Sequence, residues 1–241
     1  MRFVKGTVER IRTAGKAVDY VDGEGTAATL GYDRLVLATG SRLFRPRISG
    51  LADHAFSVDQ LDEAVELEAH ILSLASLPDS PARNTIVVAG GGFTGIETAA
   101  EMPARLRAAL GDDAAIRVVV VERADAIGPD LGPSPRPVIE QALAELGVEI
   151  KLGTAVTAID ADGITLEDGE RIASRTVIWT AGMRASSLTE QIAAERDAFG
   201  RLQVDRTCTC RASRASSPPA IPSSRPAMKR AIMPPCRAST R

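Results

Sequence analysis

The chain has 241 residues, 44% of them hydrophobic and 25% charged, with a net charge of −2 at pH 7. That is the composition of a soluble globular protein with enough apolar material for one or two domains. No apolar run approaches the ~18 to 20 residues that span a bilayer, and Met1-Arg2-Phe3-Val4-Lys5 is not followed by the apolar stretch of a secretory signal, so the expected location is cytoplasmic.

Residues 3–11, 17–21 and 27–30 read as short strands separated by turns at Gly15, Gly23 and Gly25, which predicts a meander. Residues 35–38, within RLVLATG, have the fully apolar character of a strand in a parallel sheet and end in small residues that let something approach the backbone. Ser57 and Gln60 match a capping box for a helix from about Val58 to Leu77, with Phe56 packing on Leu61 as a hydrophobic staple. Leu61, Val65, Glu68 and Leu72 fall on one face, which is expected to lie against a domain surface.

The next stretch, IVVAGGGFTGIETA at residues 86–99, runs from an apolar strand through Gly90, Gly92 and Gly95 into a helical pattern. A strand, a tight turn and a helix N-terminus built this way hold a pyrophosphate. Gly90 is expected to make the turn, Gly92 to let the backbone approach the phosphates, and Gly95 to pack helix on strand. A second apolar run, residues 116–121, ends in Glu122, placed to accept hydrogen bonds from both hydroxyls of an adenosine ribose. The helix between them is long, exits at Gly111-Asp112-Asp113, and is expected to kink or divide near Met102 because of Pro103. Pro137 begins another helix running to Leu146 with Gly147 as its C-cap, followed by strands at 148–152, 154–159, 163–167 and 176–180. The bland alternative is a glycine-rich turn in a βαβ unit that binds nothing.

From Thr207 onward there are seven basic and no acidic residues, against 22 basic and 31 acidic before it, and this segment also holds six of the 14 prolines and all three cysteines. Residues 207–241 therefore read as a disordered basic tail. Without aromatic stacking residues it is not expected to bind nucleic acid. Cys208, Cys210 and Cys236 form no Cys-x-x-Cys pair, and His54 and His70 sit in a loop and on a polar helix face. No metal site or His-based triad is expected.

The segments YDRLVLATGS (32–41), VVAGGGFTGIETAAEM (87–102), VVVER (119–123), LGVEI (146–150) and WTAG (179–182) follow one another in an order that resembles the two-dinucleotide flavoprotein oxidoreductases, and among them the type II NADH dehydrogenases. The resemblance covers roughly residues 1–206. It implies an α/β fold in which an NAD-binding Rossmann-like domain is inserted in an incomplete FAD domain. The expected division is a partial FAD domain at 1–50, a connecting helix at 51–83, the NAD domain at 84–182 and a return segment at 183–206. It also implies FAD and NAD as cofactors and hydride transfer from NADH to flavin and on to a quinone. Full-length relatives are expected at the inner membrane face, and a homodimer is left open.

Carried over by position, Gly90, Gly91, Gly92, Thr94 and Gly95 would cradle NADH, Glu122 would bind its ribose, and Glu97 would sit near the nicotinamide as the catalytic candidate. The other reading of Glu97 is a first-turn carboxylate that complements the helix dipole. Thr39 and Gly40 would lie beside FAD, and Ala181 and Gly182 beside nicotinamide or flavin. The family's first FAD glycine motif and its later Gly-Asp pair have no counterpart here, so the chain is expected to be an internal fragment with an out-of-frame tail. A pyridine nucleotide-disulfide or ferredoxin-type reductase, or a non-catalytic NAD-binding module, are the competing readings.

Overall fold

A computed structural model describes residues 3–210. The elements run β1 (Gly6–Arg12), β2 (Ala17–Asp22), β3 (Ala27–Gly31), β4 (Ser41–Leu43), α1 (Leu51–His54), β5 (Ala55–Phe56), α2 (Leu61–Ser73), α3 (Pro81–Asn84), β6 (Thr85–Ala89), α4 (Phe93–Leu110) and β7 (Arg117–Val121). They continue with α5 (Arg136–Glu145), β8 (Val148–Lys151), β9 (Val156–Asp160), β10 (Gly163–Leu166), β11 (Arg171–Ala173), β12 (Thr176–Trp179) and β13 (Met183–Ala185). The described residues form two compact units, one made of residues 3–42 with 183–210 and the other of Leu43–Gly182. The readings of the tail as disordered and out of frame fall mostly on residues 211–241, which lie outside the described residues.

In the first unit β1, β2 and β3 form the antiparallel meander expected from the sequence. The Asp22 carboxylate holds one of its turns by accepting from the Glu24 and Thr26 amides, each at 2.9 Å. Ile11, Leu37, Ala194 and Leu202 form a small core. Gln191 fastens the β1 edge with its side chain, accepting from the Ile11 amide at 2.7 Å and donating to the Glu9 carbonyl at 2.9 Å. Residues 35–38 do not form the expected strand. A parallel strand exists only through a neighbour's ladder, none pairs with this run among the described residues, and only Leu37 of the run is buried. After β13 the return segment pairs, among the described residues, only through isolated bridges, at Leu202 and Val204.

The Leu43–Gly182 unit is built on a parallel sheet of five strands in the order β5-β12-β6-β7-β8. Its central strands are apolar on both faces because both are covered, and their side chains alternate between two cores. Ile86, Val88, Val118, Val120 and Ile178 meet Leu67, Ile71, Ala99, Met102 and Leu106 of α2 and α4. Val87, Ala89, Val119, Val121, Val177 and Trp179 meet Leu51 of α1 and the inward residues of a second sheet, β11-β10-β9, among them Ile159, Ile164, Leu166 and Ile172. The sequence reading missed β11, a three-residue strand with one buried side chain, Ile172.

Four local expectations for the helices are corrected. The α2 helix begins at Leu61, not Val58, and Gln60 caps it without a side-chain bond. Ser57 is instead buried, donating to Glu63 Oε2 at 2.6 Å and accepting from the Asp59 amide at 3.0 Å. Phe56 packs on the His70 ring, with centroids 4.3 Å apart, while Leu61 is 82% exposed, so no staple forms. The buried face of α2 is Leu67 and Ile71, continued by Leu74 in the following turn, and Val65 and Leu72 are exposed. The α4 helix is not divided at Pro103. Proline removes one helical hydrogen bond, and burial of Ala99, Met102, Pro103 and Leu106 holds the helix through it.

Candidate functional site

At the carboxyl end of β6 the chain leaves the sheet through Gly90, Gly91 and Gly92 and enters α4. Gly90 has φ +117°, a conformation L side chains rarely adopt, and a Cβ there would lie 2.8 Å from the Ala181 nitrogen. Its amide donates to the Val121 carbonyl at 2.8 Å, which pins the turn to the end of β7. A Cβ on Gly95 would fall 1.8 Å from the Gly90 carbonyl oxygen, so the first turn of α4 approaches the strand more closely than a side chain allows.

Gly92 is different. It is extended, and a Cβ there would meet no atom within 4 Å. It also supplies no capping side chain to an 18-residue helix, whose N-terminal amides carry the positive end of the macrodipole. Open space at that point fits a diphosphate drawn close to the backbone. Thr94 is exposed one residue into the helix.

Glu122, at the tip of β7, accepts from the Gly91 amide at 2.6 Å through Oε2 and from the Ala124 amide at 2.8 Å through Oε1. A carboxylate has about four acceptor sites, and two remain for hydroxyl donors. The far side of Gly91 is closed by the segment after β7. Gly128 donates to the Gly91 carbonyl at 2.8 Å, and a Cβ on Gly91 would press on Ile127 Cδ1 at 2.7 Å. Sequence reasoning passed over Ile127 and Gly128, and also Thr180, whose hydroxyl lies 3.1 Å from the carbonyls of both Ala89 and Gly90. The WTAG segment signalled Thr180, but its partners come from β6.

Ala181 is half-buried beside the Gly90 turn, and Gly182 is exposed, with φ +82° and room for a Cβ that would lie 3.5 Å from Phe44. Glu97 is exposed on α4, beyond its first turn, and lines an open groove of about 360 Å³ between α2 and α4 whose floor is Leu67, Ile71 and Met102. The reading of Glu97 as a first-turn carboxylate is therefore corrected: it is the fifth helical residue. Thr39 and Gly40 belong to the other compact unit, where both are exposed and Gly40 has φ +65°. His70 is not on a polar face. Its Nε2 lies 3.0 Å from Thr176 Oγ1, and burial holds its imidazole below the usual histidine range. Among the described residues no group of three His, Cys, Asp or Glu could hold a metal ion, and no helix is long and apolar enough to cross a membrane.

A parallel sheet, a glycine turn into a helix and an acidic residue closing the next strand define the dinucleotide-binding type of α/β unit. The family described as pyridine nucleotide-disulphide oxidoreductase matches residues 1–214, and the chain belongs to it. It is 50% identical over 196 residues to an NADH dehydrogenase-like protein of Mycobacterium tuberculosis, covering 78% of this chain and 49% of that protein. It is 33% identical over 225 residues to a type II NADH:quinone oxidoreductase of the same organism, covering 85% of this chain and 48% of the relative. The chain thus spans about half the length of the curated relatives it matches. In fold it is similar to NDH2 from Plasmodium falciparum in complex with NADH, with a TM-score of 0.68 at 18% identity, over 85% of this chain and 46% of that one.

Proposed function

We propose that the Leu43–Gly182 unit binds NADH and presents it for hydride transfer within a flavin-dependent NADH:quinone oxidoreductase. The observation that carries this reading is the pairing of an open helix N-terminus at Gly92 with a half-satisfied carboxylate, Glu122, on the adjacent strand. The turn from Gly90 to Gly92, with Thr94 beside it, receives the diphosphate, and Gly95 keeps the helix close behind it. Glu122 takes the ribose hydroxyls with its two remaining acceptor sites. Ala181 and Gly182, at the carboxyl end of β12, flank the nicotinamide end, and Glu97 is the side chain assigned near the nicotinamide. The names of the relatives, an NADH:quinone oxidoreductase and the demethylphylloquinone reductase of Synechocystis, support NADH as donor and a quinone as acceptor.

FAD, when bound, would supply the acceptor for the hydride and the route by which two electrons reach the second substrate. Gly40 leaves room for a close backbone contact with FAD, since nothing lies within 4 Å of a Cβ there, and Thr39 adjoins it. Among its described residues that unit contains no α-helix, so Thr39 and Gly40 supply a backbone contact and not a phosphate cradle. Association with the inner membrane face and pairing as a homodimer belong to the same proposal for the whole protein.

Trp179, the chain's one tryptophan, lies two residues before Ala181 and reports on binding. NADH titration of the full chain should quench or shift its fluorescence with saturation at one equivalent. A flat titration, confirmed by calorimetry, removes the reading. Reduction of a soluble quinone by NADH, compared with a ferredoxin or a disulfide as acceptor, separates it from the other reductases of this fold.

A further inference from the structure

We infer that Thr180 is the positioning residue of the glycine turn, tying the diphosphate cradle to the Ala181–Gly182 segment; this rests on the dinucleotide reading above. Thr180 follows β12, whose register beside β6 ends at Trp179 opposite Ala89. Its amide extends that ladder by donating to the Ala89 carbonyl at 2.9 Å. Its hydroxyl then reaches further than the ladder does, lying 3.1 Å from the Ala89 carbonyl and 3.1 Å from the Gly90 carbonyl. One hydroxyl proton is shared between two acceptors, and the second acceptor belongs to the residue that makes the turn.

The same oxygen fills the space that two of the glycines leave. It would lie 2.8 Å from a Cβ on Gly90 and 2.9 Å from a Cβ on Gly95. Gly90, Gly95 and Thr180 therefore meet at one point, with a hydroxyl where side chains on the turn would otherwise be. This fixes the peptide plane after Gly90, against which the first turn of α4 rests, and so fixes where the Gly92 end of the helix stands. Because the next residues are Ala181 and Gly182, the two ends of a bound dinucleotide are positioned through one side chain. Glu122 grips the same peptide from its amide side, accepting from Gly91 at 2.6 Å, but keeps an anchor outside the turn in the Ala124 amide at 2.8 Å.

Valine at this position keeps the shape and removes the hydroxyl, stranding the Gly90 carbonyl. The experiment compares the full chain, Thr180→Val and Thr180→Ser, with ADP-ribose as a diphosphate-containing probe and adenosine as one that lacks it, each titrated by NMR. Expected for Thr180→Val is about tenfold weaker ADP-ribose binding, as for a lost hydrogen bond with its acceptor left unpaired, with adenosine changed less than about twofold. Thr180→Ser should restore ADP-ribose binding to within about threefold of the parent, since it restores the hydroxyl. Unchanged ADP-ribose binding by Thr180→Val overturns the inference. So does an equal loss of both probes that serine does not rescue, because that is the mark of a merely structural residue. A parent chain that binds no ADP-ribose overturns the dinucleotide reading itself, and this inference with it.

Discussion

Glu122 accepts a hydrogen bond from the Gly91 amide at 2.6 Å across 31 positions of sequence, so the acidic end of β7 holds the glycine turn before any ligand arrives. The residue read from the sequence as a ribose ligand thus has a second task, organising the turn that precedes α4. Loss of its carboxylate removes two backbone contacts as well as a negative charge.

Coenzyme choice follows from that charge. A unit-charge pair at 4 Å and an effective dielectric near 20 is worth about 4 kcal/mol, reduced by solvent and by neighbouring Arg123. Even ~1.4 kcal/mol is a tenfold preference. NADH is expected to bind at least about tenfold more tightly than NADPH, whose 2′-phosphate would face Glu122. Glu122→Ser should narrow the gap and also weaken NADH, because the Gly91 and Ala124 amides lose their acceptor. Equal affinities of the parent chain for the two coenzymes in parallel titrations would remove Glu122 from the ribose site.

Two glycines of the same turn should respond in opposite ways. Gly92 lies at negative φ with nothing near a built Cβ, so Gly92→Val should leave the melting temperature almost unchanged while weakening NADH by at least about tenfold, the side chain occupying the cradle. Gly95→Ala meets the Gly90 carbonyl oxygen at 1.8 Å, and overpacking of this kind costs about 1–3 kcal/mol. Thermal melting and NADH titration of both variants check the contrast, which fails if Gly92→Val is the less stable of the two.

The central strands were legible because a strand covered on both faces is a short apolar run whichever protein it stands in, as TIVVA and RVVVV are in β6 and β7. The run at 35–38 reads the same way, but the pairing that makes a strand is not a property of the run. On α2 the period fits two faces, one with Leu61, Val65 and Leu72 and one with Leu67 and Ile71, and packing against α4 and the sheet decides between them. The glycine spacing marked the turn. The contacts that hold it come from Glu122 and Thr180 on neighbouring strands, and no local pattern announces those partners.

The choice of face on α2 is testable. Leu61, Val65 and Leu72 are 82%, 57% and 62% exposed, whereas Leu67 and Ile71 are each 4% exposed. Serine at any of the first three should change stability by within about 0.5 kcal/mol. Alanine at Leu67 or Ile71 should cost about 2–5 kcal/mol through lost burial and a cavity. Urea unfolding of the five variants decides the matter, and a large loss from Leu61→Ser would mean that the outward face is covered in solution.

His70 predicts how stability depends on pH. Burial lowers its pKa below 6.5, partly opposed by a hydrogen bond that the ring donates to the Arg175 backbone carbonyl, and its ring also contacts Phe56 and the Thr176 hydroxyl. The unfolded chain therefore takes up the proton first as pH falls. The contribution of neutral His70 is fully present above the unfolded pKa of about 6.5 and is lost progressively below it. Two carboxylates are shifted away from this window: Asp160 is held down to about 2 by Arg171, and Glu149 is lowered by its hydrogen bond from Arg117. Melting temperature should fall between pH 7.5 and pH 5, and His70→Gln, which can still bond Thr176 but cannot titrate, should flatten that slope. Parallel pH profiles of the two proteins would assign the dependence to other groups.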